Sequence, residues 1–206
     1  MHVIAVIDYG VGNLFSVEKA FAQFSNDVKV TSDKSEIEGA DKLVLPGVGE
    51  FGACMKNFEA SGLIQTVMNR VAEGVPLLGI CVGLQILFEG SDESPEAKGL
   101  GYFKGRVRRI VAPELKIPHM GWNSVEFRQK ELPIFRDLPE NSYFYFVHSY
   151  HAVPEDAGIL AAVTEYGEKL TAAVAKDNVM ATQFHPEKSG DVGLKLIKNF
   201  VDWKCE

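Results

Sequence analysis

The stretch P-L-L-G-I-C-V-G-L-Q, residues 76–85, runs from a proline through four mostly apolar positions to a cysteine between two glycines, then into a short helical pattern. An apolar run of this length reads as a strand buried on both faces, as in parallel sheets. Glycine two residues either side of Cys81 lets the chain turn sharply from strand to helix and push one side chain outward. A structural cysteine gains nothing from such flanks; a nucleophile does. At the start of a helix its thiol also feels the positive end of the helix dipole, which favours the thiolate.

The flanking sequence sets this junction in an α/β domain. Val3–Ile7 and Leu43–Leu45 are further buried-strand candidates, while Leu14, Val17, Phe21 and Phe24 recur at helical spacing, as do Leu63, Ile64, Val67, Met68 and Val71. Strands alternating with helices predict βαβ units in an open, mostly parallel, flavodoxin-like sheet with helices on both faces. In the second half, Tyr143–Val147, Ile159–Thr164, Leu170–Ala175 and Val179–Phe184 read as strands spaced like hairpins, with a turn at Tyr166-Gly167-Glu168. They predict antiparallel additions to the sheet. Val192, Leu196, Ile197, Phe200 and Val201 predict a closing amphipathic helix, and Ser91–Lys98 a polar surface loop. No repeat or linker divides the chain, so residues 1–206 read as one domain.

With 46% hydrophobic and 24% charged residues the composition is that of an ordinary globular domain. A net charge of −7 argues against a nucleic-acid or anionic-membrane surface as the main partner. Cys54, Cys81 and Cys205 are too few and too scattered for a disulfide framework, which points to a reducing compartment. The apolar run His2–Ile7 is too short for a signal peptide or a membrane span. The expectation is a cytoplasmic protein.

A thiol nucleophile needs a base and an oxyanion site. Of the five histidines, His185 in Q-F-H-P-E-K follows a strand candidate, where open α/β sheets gather ligands and catalysis. Pro186 favours an extended His185, and alternation would put His185 and Glu187 on one side. Glu187 would fix the imidazole and His185 would take the proton of Cys81. The plainer alternative is a turn histidine beside a solvated carboxylate. The N–H of Val82, next after the nucleophile, is one oxyanion donor. L-P-G-V-G-E-F, 45–51, offers a second through Gly47 and Val48, although the same residues also read as a simple glycine-rich turn. Gly47 and Gly49 would let the Gly47–Val48 peptide turn toward or away from the developing charge.

Together these stretches resemble the class I (triad) glutamine amidotransferases: P-G-V-G their oxyanion loop, G-I-C-V-G-L-Q their nucleophile elbow and Q-F-H-P-E-K their His/Glu segment. D-Y-G-V-G-N-L at 8–14, G-E-F-G at 49–52, P-H-M-G-W-N at 118–123 and Y-F-V-H-S-Y at 145–150 narrow the resemblance to the glutaminase subunits of imidazole glycerol phosphate synthase. Val82 stands where leucine is frequent in that family, and Gly190 where glutamine is. The resemblance implies hydrolysis of glutamine through a γ-glutamyl thioester on Cys81, with Gln85, Gly49, Ser149 and Tyr150 holding the substrate and no cofactor or metal. It also implies a (β/α)8-barrel cyclase subunit, forming a heterodimer, that uses the ammonia to make imidazole glycerol phosphate and aminoimidazole carboxamide ribotide. Asn13, Met120 and Trp122 would lie near the interface, with Lys188 as a gate. For Trp122 the alternative is core packing.

Three readings compete. One is a glutaminase of another triad enzyme, such as those serving anthranilate or pyridoxal phosphate synthesis, or a free-standing γ-glutamyl hydrolase. Another is a dinucleotide-binding module, for which Gly10-Val11-Gly12 makes a start; Phe15 in the third glycine position breaks that fingerprint. The last is a metal site on His148 and His151, which lacks further ligands near Cys81.

Overall fold

The computed structural model describes residues 3–204, so His2 and Cys205 lie outside the described residues. The first half is β1 (Ile4–Ile7), α1 (Leu14–Phe21), β2 (Val28–Thr31), α2 (Lys34–Glu38), β3 (Lys42–Gly47), α3 (Phe51–Ser61), α4 (Ile64–Ala72), β4 (Leu77–Cys81) and the single turn α5 (Val82–Gln85). The second half is β5 (Gly105–Arg109), β6 (His119–Ser124), β7 (Glu126–Phe127), β8 (Tyr143–His148), β9 (Tyr150–Pro154), β10 (Leu160–Tyr166), β11 (Glu168–Lys176), β12 (Val179–Thr182) and α6 (Gly190–Asp202).

Eight strands form one sheet in the order β2-β1-β3-β4-β12-β11-β10-β7. The five from β2 to β12 are mutually parallel, and β11, β10 and β7 add antiparallel. Every residue of β1, β3, β4 and β12 is buried, in keeping with their largely apolar character. Strand order reverses after β2, so right-handed crossovers put α1 and α2 on opposite faces. Helix α6 packs with α1, and α4 with α2. Lys42 is buried at the start of β3, where its ammonium donates to the carbonyls of Phe200 and Trp203 and ties the end of α6 to the sheet.

The hairpin β10–β11 turns at Gly167 (φ +74°), as the turn residues predict. Several elements went unpredicted. Strand β2 is four residues, V-K-V-T, at the sheet edge, and its pattern is too short to count. Two small antiparallel ribbons, β5–β9 and β6–β8, stand apart from the main sheet, so the expected strand Tyr143–Val147 forms, as β8, but pairs with β6 and does not join the main sheet. The chain passes from one ribbon to the other through Ser149 alone. Helix α1 stops at Phe21, leaving Phe24 beyond its end.

Candidate active site

Strands β3, β4 and β12 are neighbours in the sheet and parallel, so their C-terminal ends emerge side by side. β3 delivers Gly47 and Val48, β4 delivers Cys81, and β12 leads through Gln183 and Phe184 to His185. Cys81 lies opposite Gly47 in the ladder.

At the elbow the strain falls on the cysteine itself. Cys81 has φ 55° and ψ −110°, a conformation that costs a non-glycine residue about 1–3 kcal/mol. Gly79 and Gly83 do not take left-handed conformations, contrary to the expectation that they supply the turn. They supply room. A Cβ on Gly83 would lie 1.9 Å from the carbonyl oxygen of Leu45, and one on Gly79 would lie 3.0 Å from the Cβ of Ala181. Gly47 is required for the same reason, since its Cβ would meet the Gly83 nitrogen at 2.6 Å. The conformational freedom expected of both loop glycines resides in Gly49 alone (φ +95°), which has open space around it. Helix α5 is one turn long, so its dipole is small and its main contribution is geometric. The Val82 N–H opens that turn and has no intrahelical acceptor.

His185 and Glu187 meet as expected, for a different reason. The chain does not stay extended: Pro186–Lys188 is a 3₁₀ turn that folds Glu187 back onto the ring. His185 Nδ1 lies 2.8 Å from Glu187 Oε1, with the side chains 2% and 0% exposed. The backbone of His185 is held on both sides: its N–H donates to the Tyr145 carbonyl (2.9 Å) and its carbonyl accepts from Ser189 Oγ (2.6 Å). His185 Nε2 is buried and has no hydrogen-bond partner among the described residues. Burial alone would lower the pKa of His185; interaction with Cys81 and Glu187 outweighs it and holds the pKa above the usual value. Cys81 is only 4% exposed, more covered than expected, and Val147–Tyr150 line the cleft it borders. Its sulfur opens into a cleft of about 420 Å³ shared with Val48, Gly49, Val82, Gln85 and His185.

The family model for class-I glutamine amidotransferases matches residues 5–203. The chain belongs to that family. It is 49% identical to the imidazole glycerol phosphate synthase subunit HisH of Syntrophotalea carbinolica, over 97% of this chain and 100% of that one. It is 50% identical to the protein of the same name from Methanocaldococcus jannaschii, over 97% and 99%. Within the class-I amidotransferases it belongs with the HisH subunits. Solved structures at lower identity share the fold. They include PurLQS of Thermotoga maritima (TM-score 0.76, 19% identity, covering 98% of this chain and 99% of that one) and the glutaminase domain of CTPS from Trypanosoma brucei (0.65, 16%, covering 100% and 97%).

In this amidotransferase Gln85, Ser149 and Tyr150 all border the cleft. Gln85 Nε2 donates to the Tyr150 carbonyl (3.0 Å) and to Gln183 Oε1 (3.1 Å); both partners only accept, which fixes the orientation of the Gln85 amide. Lys188 is at the rim, its ammonium 6.0 Å from the centre of the Tyr145 ring. Met120 and Trp122 are 61% and 55% exposed, which excludes core packing for Trp122. Gly190 sits beside the Trp122 ring. Asn13 turns inward: its Nδ2 donates to Glu187 Oε1 at 2.8 Å.

Sequence reasoning missed two groups at the site. Glu93, in the loop expected to be plain surface, borders the cleft and accepts from the Phe51 N–H (2.9 Å), while Ser94 Oγ accepts from the Gly52 N–H (3.1 Å). Both anchor the loop to the start of α3. An acidic residue in a polar run gives no sign of this, because the contact spans some forty residues. Gln183, whose amide nitrogen is 3.7 Å from the Cys81 sulfur, carries no signal in the sequence beyond its place two residues before the histidine. His148 uses both ring nitrogens in hydrogen bonds to protein groups, which leaves neither for a metal.

Proposed function

We propose that this class-I amidotransferase hydrolyses glutamine to glutamate and ammonia through Cys81, His185 and Glu187, as the glutaminase subunit of imidazole glycerol phosphate synthase. The observation that carries this reading is the imidazole of His185. A buried carboxylate holds one nitrogen, and the other, without a hydrogen-bond partner among the described residues, belongs to the cleft that Cys81 also lines. His185 takes the thiol proton and the thiolate attacks the side-chain carbonyl carbon of glutamine. The oxyanion forms against the N–H of Val82, with a second donor from the Gly47–Val48 peptide. His185 then passes its proton to the leaving amine, ammonia departs, and a γ-glutamyl thioester remains. Water, deprotonated by the same imidazole, hydrolyses the thioester and restores the thiol. Gly49, Gln85, Ser149 and Tyr150 bind the substrate's amino-acid end, and Glu93 supplies a carboxylate for its α-ammonium group.

The ammonia passes to a (β/α)8-barrel cyclase subunit in a cytoplasmic heterodimer, which forms imidazole glycerol phosphate and aminoimidazole carboxamide ribotide in histidine biosynthesis. Among the described residues no helix is long and apolar enough to cross a membrane. Exposed Met120 and Trp122 near Lys188 make the rim of the cleft the docking face, with large amphipathic side chains of the sort interfaces concentrate. Asn13 acts at the inner side of that face through Glu187, and Lys188 as the gate. The test is glutamate production from glutamine, with and without the cyclase and its nucleotide, for wild type and Cys81→Ala. Glutamate from wild type with the cyclase, and none from the variant, supports the reading. Equal turnover by both overturns it.

A further inference from the structure

Two buried histidines take no part in the proposed chemistry. His119, the first residue of β6, and His148, the last of β8, pair across the small ribbon, with Nδ1 of His119 2.9 Å from Nε2 of His148. His148 Nδ1 lies 2.9 Å from the Tyr150 carbonyl, which can only accept. The proton on His148 is therefore on Nδ1, and its Nε2 accepts from His119 Nδ1–H. That leaves His119 Nε2 as an acceptor, and Asn123 Nδ2 donates to it at 3.1 Å. The Asn123 amide is itself oriented, because its nitrogen donates to the Glu165 carbonyl and its oxygen accepts from the Ser124 N–H. One proton arrangement satisfies all of these contacts: two neutral imidazoles, each protonated on Nδ1. Burial agrees, pushing His119 down to about 4 and His148 down to about 3. The His119 ring is clamped between Phe146 and Tyr166, with centroids 4.7 and 4.1 Å away.

The chain of contacts does not end at Tyr150. Its carbonyl also accepts from Gln85 Nε2, which donates to Gln183 Oε1, and the Gln183 amide reaches the Cys81 sulfur. At the opposite end, His119 precedes the exposed Met120 on the same strand. Building on the glutaminase reading, we propose that His119 and His148 are positioning residues for glutamine binding: they hold the Tyr150 carbonyl, and through it Gln85, from the exposed edge of β6. Neither touches the reacting atoms. Their work is to keep the wall of the glutamine subsite in register with the elbow.

His119→Phe retains a ring between Phe146 and Tyr166 and removes the donor. In the complex with the cyclase and its nucleotide, this variant raises the KM for glutamine about tenfold and leaves kcat within threefold. Iodoacetamide alkylates its Cys81 at the wild-type rate. His119→Asn, which returns an N–H near the position of Nδ1, recovers most of the KM. An unchanged KM in His119→Phe overturns the proposal, as does a KM rise accompanied by a matching loss of Cys81 alkylation. Nitrogen NMR of the wild type reads the pair without any variant: neutral, Nδ1-protonated rings at pH 7 are expected, and an imidazolium or an Nε2–H tautomer at either position overturns it. Absence of glutamate from the wild-type complex would instead remove the glutaminase reading, while the NMR result still judges the pair.

Discussion

Removing the amide of Asn13 isolates one oxygen of the buried carboxylate at the centre of the proposed triad. Glu187 Oε1 receives both the His185 ring and the Asn13 amide at 2.8 Å, while Oε2 is buried without a partner among the described residues. A hydrogen bond to a charged group contributes about 1.5–3 kcal/mol, and Asn13 is half-buried, so the lower end applies. Asn13 has φ 70° and makes no side-chain cap on α1. Glycine accepts that backbone freely and no cap is lost, so Asn13→Gly removes the amide contact and little else. Felt fully when the imidazolium forms, a loss of about 1.4 kcal/mol lowers kcat/KM about tenfold. Asn13→Asp goes further and sets two carboxylates against each other, which raises the pKa of the pair. Below that raised value the shared proton restores a donor in the Asn13 position. The Asp variant is thus most stable on the acid side, and its stability falls as pH rises through the shared titration. Urea unfolding from pH 5 to 8, with glutamate production in the cyclase complex, measures both effects. Wild-type kcat/KM in Asn13→Gly together with a pH-independent deficit in Asn13→Asp would refute the reasoning.

Three further outcomes follow from the same geometry. Cys81→Gly relieves the elbow strain that Cys81→Ala retains, so thermal melts should find it more stable than Cys81→Ala by about 1 kcal/mol; equal midpoints contradict the strain. Gly83→Ala drives a Cβ into the Leu45 carbonyl and should unfold at far lower denaturant than Gly49→Ala, which meets nothing within 4 Å and bears only its positive φ; similar midpoints for the two would be the contrary result. His119 and His148 are held neutral in the fold, at about 4 and about 3, yet titrate near 6.5 when unfolded. The unfolded chain therefore binds more protons between those values, and stability climbs with pH across roughly 4 to 6.5. In His119→Phe that slope should flatten, and an unaltered slope by urea titration counts against it.

Much of the candidate site's geometry was legible because it is local in sequence. The apolar runs that became β1, β3, β4 and β12 announce burial on both faces, and the cysteine between glycines announces the elbow. The reasons assigned to those glycines were less legible, since the need for room at Gly79, Gly83 and Gly47 depends on which strands lie alongside. His185 and Glu187 were paired correctly from their spacing, although a 3₁₀ turn and not an extended segment brings them together. What could not be read is what closes over long separations: Asn13 on Glu187, Glu93 at the start of α3, and the two histidines across the β6–β8 ribbon. Of the ribbon strands only β8 was read, and its pairing with β6 away from the main sheet was not, because β5, β6 and β9 are short and mix polar and charged residues with apolar ones.

The parts of the proposed reaction stand at the ends of three adjoining, fully buried strands, whereas the proposed substrate wall and the exposed Met120–Trp122 edge hang on two narrow ribbons outside the main sheet. Such a layout separates what must hold still from what is free to vary. On the proposed reading, changes in the ribbons retune which subunit is met, or how firmly glutamine is gripped, without disturbing the bond-making atoms. One durable chemical engine can thereby be fitted to many different recipients of ammonia.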